Sequence, residues 1–139
     1  MSVGLGFLDK IIHFEGYSNW TGYEGLSIPI EMTLNDLFIG MGMLMISANR
    51  ISHVRSEFAR TLFGEDPICC IRDFDFNSML LMFSMTGMID IVDTETCELT
   101  ELGNDFLRDR TESAIDLFTK IREESKKCII TYKNGKDVI

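Results

Sequence analysis

Residues 85–107 read MTGMIDIVDTETCELTELGNDFL, and this stretch decides the fold class. Gly87 ends an apolar run, as glycine does when a helix closes on left-handed backbone. Residues 88–99 are first β-prone, then polar, then extended again, a pattern that predicts a β-hairpin. Thr100 follows in a position suited to an N-cap. The stretch therefore predicts the end of one helix, a hairpin and the start of another helix.

Helices are also predicted upstream of this stretch. Thr33 followed by Asp36 resembles a capping box with the shorter acid, and the apolar spacing after it predicts a helix over residues 34 to about 50. Gly40 and Gly42 each weaken a helix by about 1 kcal/mol relative to alanine. We interpret them as points where another backbone comes close.

A second helix is expected to start at a Ser52 cap and to stop at Gly64. A third is expected over residues 79–86, capped by Asn77 or Ser78. Between them, residues 68–71 are expected to be extended. Residues 72–76, RDFDF, alternate acids with aromatics and predict a half-buried strand rather than a catalytic carboxylate pair.

The two ends of the chain are expected to flank these elements. Apolar residues at helical spacing predict a short helix over residues 4–14 that ends at Gly16, followed by an ordered loop with a short strand near residues 26–30. In that loop the aromatics are expected to clamp onto the core, with a binding platform as the alternative. They are Tyr17, Trp20 and Tyr23. A last helix from Thr111 or Ser113 should be followed by a hairpin around Asn134-Gly135.

The order of elements over residues 34–110 resembles the winged helix-turn-helix fold. In many such proteins a glycine ends the third helix, a polar wing joins two strands, and the second strand runs through Leu-Thr-x-x-Gly into the next helix. Gly87 and residues 99–103 stand in those places. The resemblance implies one α+β domain, mainly α, with residues 1–33 as an N-terminal extension and residues 111–139 as a C-terminal helix and hairpin.

The resemblance also implies that the third helix would enter the DNA major groove and the wing would touch the backbone. Residues 78–86 hold no Arg, Lys, Asn or Gln to read base edges, and Asp93 and Glu95 on the wing would repel phosphates. The formal net charge of −9 argues in the same direction. Direct DNA binding through this helix and wing is therefore not expected.

Motifs for other chemistry are missing from the sequence. Cys69-Cys70 is not a usual chelating spacing, and neither a nucleophile elbow nor a glycine-rich phosphate loop occurs. We expect no enzyme activity, no cofactor and no metal. Without an export signal or a membrane-spanning run, the four cysteines are expected to be reduced thiols of a cytoplasmic protein.

Two surfaces are candidates for protein contact. Nine methionines indicate flexible apolar faces that repack against varied partners. The interface candidates are Met79, Met82, Phe83, Met85, Met41 and Met45. Acidic residues also recur through the hairpin and the helix after it, where a solvated face is the simpler interpretation. The acidic-face candidates are Asp90, Asp93, Glu95, Glu98, Glu101 and Asp105.

The sequence as a whole favours a non-enzymatic winged-helix regulator that acts through protein contacts, possesses no membrane segment and forms a homodimer. Two alternatives stay open at this point. One is a DNA-binding transcriptional regulator whose basic surface lies outside the third helix. The other is an acidic inhibitor that imitates a nucleic acid.

Overall fold

The helix predicted over residues 34 to about 50 is present in the computed structural model, which describes residues 5–18, 20–64 and 69–137. Helix α1 spans Leu34–Met45, and the Thr33 hydroxyl accepts a hydrogen bond from the Asp36 N–H at 3.1 Å. That bond satisfies one of the donors that a helix N-terminus leaves open. The predicted cap is therefore confirmed, and the helix ends about a turn earlier than expected.

Helix α2 spans Ile51–Phe63 and stops at Gly64, as predicted, where φ is 113°. The predicted Ser52 cap is wrong, because the N-cap residue is Arg50 and no side chain caps the helix. The Ile51 N–H instead donates to the Glu95 carbonyl at 2.9 Å. A carbonyl of the hairpin thus satisfies an N–H at the start of α2, where no side chain caps the helix.

Helix α3 spans Asp73–Met85, so it begins six residues earlier than expected, and the strand predicted over residues 72–76 is its first turn. Neither Asn77 nor Ser78 is its cap. The acids that resembled the exposed face of a strand, Asp73 and Asp75, lie in the first turn, where the positive end of the helix dipole favours them. Strand β3, Cys69–Ile71, precedes the helix as expected.

The hairpin and the helix after it form as predicted. Strands β4, Ile89–Ile91, and β5, Cys97–Leu99, pair antiparallel, and helix α4, Glu101–Leu107, follows. Thr100 caps α4 by accepting from the Gly103 N–H at 3.1 Å, and its hydroxyl donates to the Gly87 carbonyl at 2.6 Å. One threonine therefore joins the end of α3, the end of β5 and the start of α4.

A short bridge attaches the hairpin to the segment between α1 and α2. Arg50 pairs antiparallel with Thr96, and the Cys97 N–H donates to the Asn49 carbonyl at 2.9 Å. The hairpin consequently has a third extended segment along the β5 edge.

At the N-terminus the helix predicted over residues 4–14 is wrong. A single 3-10 turn, Leu5–Phe7, precedes strand β1, Ile11–Ser18, which pairs with β2, Ser27–Thr33, and with β3 in the order β2-β1-β3. Gly16 does not end an element: it lies buried in β1, where an added Cβ would be 2.2 Å from the Phe63 ring. Pairing with a distant strand outweighs the local helical spacing.

The predicted C-terminal hairpin is also wrong over the described residues, because helix α5 runs without a break from Thr111 to Asp137. Residues 138 and 139 lie outside the described part. The helix packs on α1, α2 and β2. Its far end is held by Tyr132, whose ring stacks on Tyr23 and whose hydroxyl donates to the Glu24 carbonyl. These tertiary contacts override the local turn signal.

An aromatic core joins the helices. Phe38 is fully buried and meets Phe83 and Phe106 edge to face, at centroid distances of 5.1 and 5.6 Å. Gly40 and Gly42 of α1 do lie where another part of the chain comes close, as predicted. The neighbouring atoms, however, belong to side chains and not to another backbone. An added Cβ would be 2.5 Å from Phe118 at Gly40 and 2.9 Å from Leu107 at Gly42. The result is a mainly helical α+β fold, and no helix in its described part has the length and apolarity to cross a membrane.

Candidate functional site

Most of the predicted interface residues are part of the core. Met79 and Phe83 on α3 and Met41 and Met45 on α1 are buried, so they pack within the chain and are not presented to a partner. Met82 is half-buried. Met85, in contrast, is exposed over 71% of its surface. The predicted interface residues therefore lie mostly on the inner sides of α1 and α3, and Met85 is the exposed one among them.

The outer side of α3 carries an apolar stripe. Phe74, Leu81 and Met85 are exposed over 80%, 56% and 71% of their surfaces, and Ser78 lies between them. The four positions are separated by four, three and four residues, the spacing of a helix seam that contacts another helix or a groove. Because a helix rises 1.5 Å per residue, the stripe is about 17 Å long. Sequence reasoning missed Phe74 because it placed the helix start too late.

Acidic residues border this stripe at both ends. Asp73 and Asp75 lie in the first turn of α3, beside Phe74. Beyond the C-terminal end, the exposed side chain of Leu102 lies next to Gly87, within 3.7 Å of where a Cβ would be. Leu102 is flanked by exposed acids on α4, Glu101 and Asp105. We call the set Phe74, Ser78, Leu81, Met85 and Leu102 the α3 stripe.

The turn between β4 and β5, which is the wing expected from the sequence, depends on one carboxylate. Asp93 Oδ1 accepts hydrogen bonds from the Glu95 N–H at 2.8 Å, the Thr96 N–H at 2.8 Å and the Thr96 hydroxyl at 2.9 Å. The Glu95 amide first, and then the Thr96 hydroxyl, lower the pKa of Asp93 by stabilising its charged form. Asp93 thus shapes the wing and is not simply an exposed charge for a partner.

The hydrogen bonds of this turn are expected to be lost together when Asp93 is protonated in acid. Since the pKa of Asp93 is depressed in the folded protein, its stabilising effect is complete above the unfolded value of about 3.9 and is lost as the pH falls through the folded value. The amide NMR signals of Glu95 and Thr96 should shift together with a midpoint below about 3.9. An Asp93→Asn variant should lack this transition. A midpoint at or above the unfolded value would contradict the turn geometry.

The other acidic-face candidates are all exposed, but they divide into two groups. Asp90 and Glu98 are directly opposite each other across β4 and β5, where like charges repel. Asp105 on α4 pairs with Arg108 at 2.8 Å. The Glu95 side chain, at the wing tip, instead borders a cleft that also contains arginines. One group therefore lies on the strands β4 and β5 and on helix α4. The other is Glu95, in the turn between the strands.

This cleft, of about 300 Å³, lies between the wing tip and the N-terminal ends of α2 and α3. Arg50 and Arg55 line it together with Asn77, and Arg55 forms an ion pair with Asp73. Because α3 starts at Asp73, this helix does present one amide side chain, Asn77, which the sequence placed outside it. The cleft mixes both signs of charge.

The aromatic loop residues are placed in two ways. The Arg72 guanidinium carbon lies 4.9 Å from the centroid of the Tyr17 ring, and the Tyr23 ring stacks on that of Tyr132. Both tyrosines therefore hold elements together, as expected for a clamp. Trp20 is about half exposed. A binding platform made of all three aromatics stays a prediction.

The thiols differ in exposure. Burial raises the pKa of Cys69 to about 11 and also raises the pKa of Cys97, whereas the Cys128 thiol is exposed. Across the described ranges no three His, Cys, Asp or Glu side chains come together in a way that could hold a metal ion.

Comparison with known protein families, with curated proteins and with solved structures found no match.

Proposed function

We propose that the chain is a protein-binding module of winged-helix type that docks its partner on the α3 stripe. The observation that carries this proposal is the exposure of Phe74, Leu81 and Met85 in one line on the outer face of α3. Large apolar side chains at such spacing on solvent-facing surface are typical of an interaction site.

The order of elements supports the winged-helix part of the proposal. Helices α1, α2 and α3 are followed by the β4–β5 hairpin, and the bridge of Arg50 with Thr96 adds a short extended segment between α1 and α2. In the winged-helix arrangement the third helix is the recognition element. Here the outer side of that helix offers Phe74, Leu81 and Met85, and Asn77 is its one amide side chain.

The charge around the stripe defines the partner. Acids stand at both ends, Asp73 and Asp75 at one and Glu101 and Asp105 at the other. Asp73 and Asp105 already pair with Arg55 and Arg108. An apolar groove with a basic rim would bury the apolar side chains and meet chiefly Asp75 and Glu101, and it would associate faster at low salt. A protein with such a groove is the partner that fits best.

A second copy of the chain fits less well. Two α3 helices packed antiparallel would place the first-turn acids of one beside the last turn of the other, and that last turn contains no basic residue. A net charge of −9 on each copy adds repulsion. The homodimer expected from the sequence thus stays a prediction, and sedimentation tests it separately.

The proposal is tested by a triple substitution, Phe74→Ser, Leu81→Ser and Met85→Ser. These side chains are exposed, so the melting temperature should change little, while binding should fall at least 100-fold because central anchors cost about 2 kcal/mol each. A photocrosslinking residue at position 78 identifies the partner in native extract, and the purified partner is then titrated against both proteins.

A matched control is available on the rest of the surface. Ile46, Ile115 and Ile130 are exposed apolar residues on other parts of the chain, and their triple serine variant removes comparable hydrophobic surface. It should bind as wild type does. Equal loss in both triple variants, or full binding by the α3 variant, would reject the α3 stripe as the docking site.

The cleft with Arg50, Arg55 and Asn77 gives a second candidate, duplex DNA binding. The Arg55 ion pair with Asp73 and the wing-tip acids oppose it, so we expect no specific mobility shift at physiological salt. Sequence-dependent binding that is lost in an Asn77→Ala variant and retained in the triple α3 variant would favour DNA instead.

A further inference from the structure

The outer edge of β2 pairs with no strand in the described part of the chain. β2 has β1 as its neighbour on one side, and β3 lies on the far side of β1. Two bonds that flank the ladder, Ser18 N–H to Leu26 carbonyl at 3.2 Å and Leu34 N–H to Lys10 carbonyl at 2.9 Å, fix which residues face β1. By strand alternation, Ile28 and Ile30 bond toward β1, while the backbone groups of Pro29 and Glu31 point away from it.

A groove of about 420 Å³ runs along this edge, with helix α5 as its other wall. Two rows of α5 line it. One row consists of every fourth residue and contains Lys120, Glu124 and Cys128. The second row, one residue later in the sequence, contains Ile121 and Ser125. The first row is exposed, whereas Ser125 is 1% exposed. The groove therefore has an apolar inner part and a charged mouth.

The inner part contains a polar group without a partner. The Ser125 hydroxyl is buried and makes no hydrogen bond to any described residue. A helical serine commonly satisfies its hydroxyl with the carbonyl one turn earlier, and a buried polar group left unpaired destabilises the fold. Ser125 lines the groove, but its hydroxyl has almost no accessible surface, so it can bond to an occupant only after the side chain turns to another rotamer.

We propose that this groove binds an extended peptide segment, which adds a strand to the β2 edge and directs a side chain toward Ile121 and Ser125. The Glu31 N–H and the Pro29 and Glu31 carbonyls supply the main-chain contacts. This second site lies on elements different from those of the α3 stripe and does not depend on the proposed function.

The peptide's chemistry follows from the lining. Residues 28–31 extend over about 10 Å, which accommodates three or four residues of an added strand. Pro29 has no N–H, so the strand forms its bonds chiefly at Glu31. The peptide side chain that enters the groove should be apolar. A hydroxyl or carbonyl of the peptide close to it should hydrogen-bond to Ser125. At the mouth Glu31 and Glu124 outnumber Lys120, which favours a basic neighbour over an acidic one.

A pair of variants at one residue tests the main-chain contact. Glu31→Pro removes the N–H at the free edge, and Glu31→Ala removes the same side chain and keeps the N–H. Glu31 is opposite His13 at a position that makes no ladder bond, so both variants should fold. The probe is a phage-displayed library of random heptapeptides, selected on the full chain, and enriched peptides are synthesised and measured by fluorescence polarisation.

We expect enriched peptides to bind Glu31→Pro at least 10-fold more weakly than Glu31→Ala. Ser125→Ala should also weaken binding, although its melting temperature should not fall because the hydroxyl it loses has no partner. Cys128→Trp at the exposed mouth should block binding. Failure to enrich any peptide, or equal binding to the two Glu31 variants, would overturn the proposal.

Discussion

Phe118→Ala is expected to lower the free energy of unfolding by about 3–5 kcal/mol, as removal of a large buried aromatic does. Phe118 is the large aromatic side chain that α5 buries in the helical core. Its ring meets Phe58 edge to face at 6.1 Å and lies against Gly40, where a Cβ would be 2.5 Å away. Alanine would leave a cavity between three helices that α1 cannot fill, because glycine faces it.

Thermal and urea unfolding followed by circular dichroism measure this effect. Ile115→Ala is the control, since Ile115 lies on the same helix and is half exposed, and it should change stability by less than about 0.5 kcal/mol. If the two variants unfold alike, α5 does not contribute to the cooperative core. Hydrogen exchange should then show α5 opening before α1 and α2.

Gly103→Ala is expected to cost about 2 kcal/mol, even though alanine favours a helix by about 1 kcal/mol over glycine. The added Cβ would be 2.1 Å from the Met88 carbonyl oxygen, which is backbone and cannot rotate away. The same oxygen accepts from the Thr100 N–H at 3.0 Å. Moving α4 away therefore also disrupts the junction that Thr100 forms.

Gly42→Ala is the matched control for this substitution. Its Cβ would be 2.9 Å from the end of the Leu107 side chain, which can shift to a neighbouring rotamer. It should be close to neutral or stabilising in the same unfolding experiments. Equal stability of the two alanine variants would contradict the close contact between α4 and Met88.

The elements that the sequence predicted correctly are those decided by neighbours along the chain. Thr33 caps α1 through Asp36 three residues later, and Gly87 ends α3 at a φ of 82°. The hairpin of β4 and β5 turns on Asp93, whose partners are two and three residues away. Short-range hydrogen bonds and left-handed glycines leave a direct mark in the sequence.

The elements that were missed depend on distant contacts. β1 has apolar residues that fit a helix equally well, and its pairing with β2 and β3 decides the matter. The far end of α5 contains Asn134-Gly135, yet Tyr132 joins it to residues 23 and 24, more than 100 positions earlier. No local pattern contains that information.

The candidate site was predicted only in part, because it too depends on contacts between distant parts of the chain. Methionine content indicated α3 but could not say which side faces the core, because Met79 and Met85 are chemically alike and differ only in what surrounds them. The late start assigned to α3 also removed Phe74 from the helix. The first-turn preference for acids was the available signal for the true start.

The central position of β1 in its sheet has a consequence for the order of events during synthesis. Tyr17 and Cys70 are partners across the sheet but lie 53 residues apart along the chain. A ribosome therefore releases β1 and β2 long before β3 exists, and closing so large a loop is slow. Until β3 emerges, the nascent hairpin presents a second open edge, on β1, besides the outer edge of β2, and an uncovered apolar face. The chain is thus most vulnerable to aggregation while it is half made.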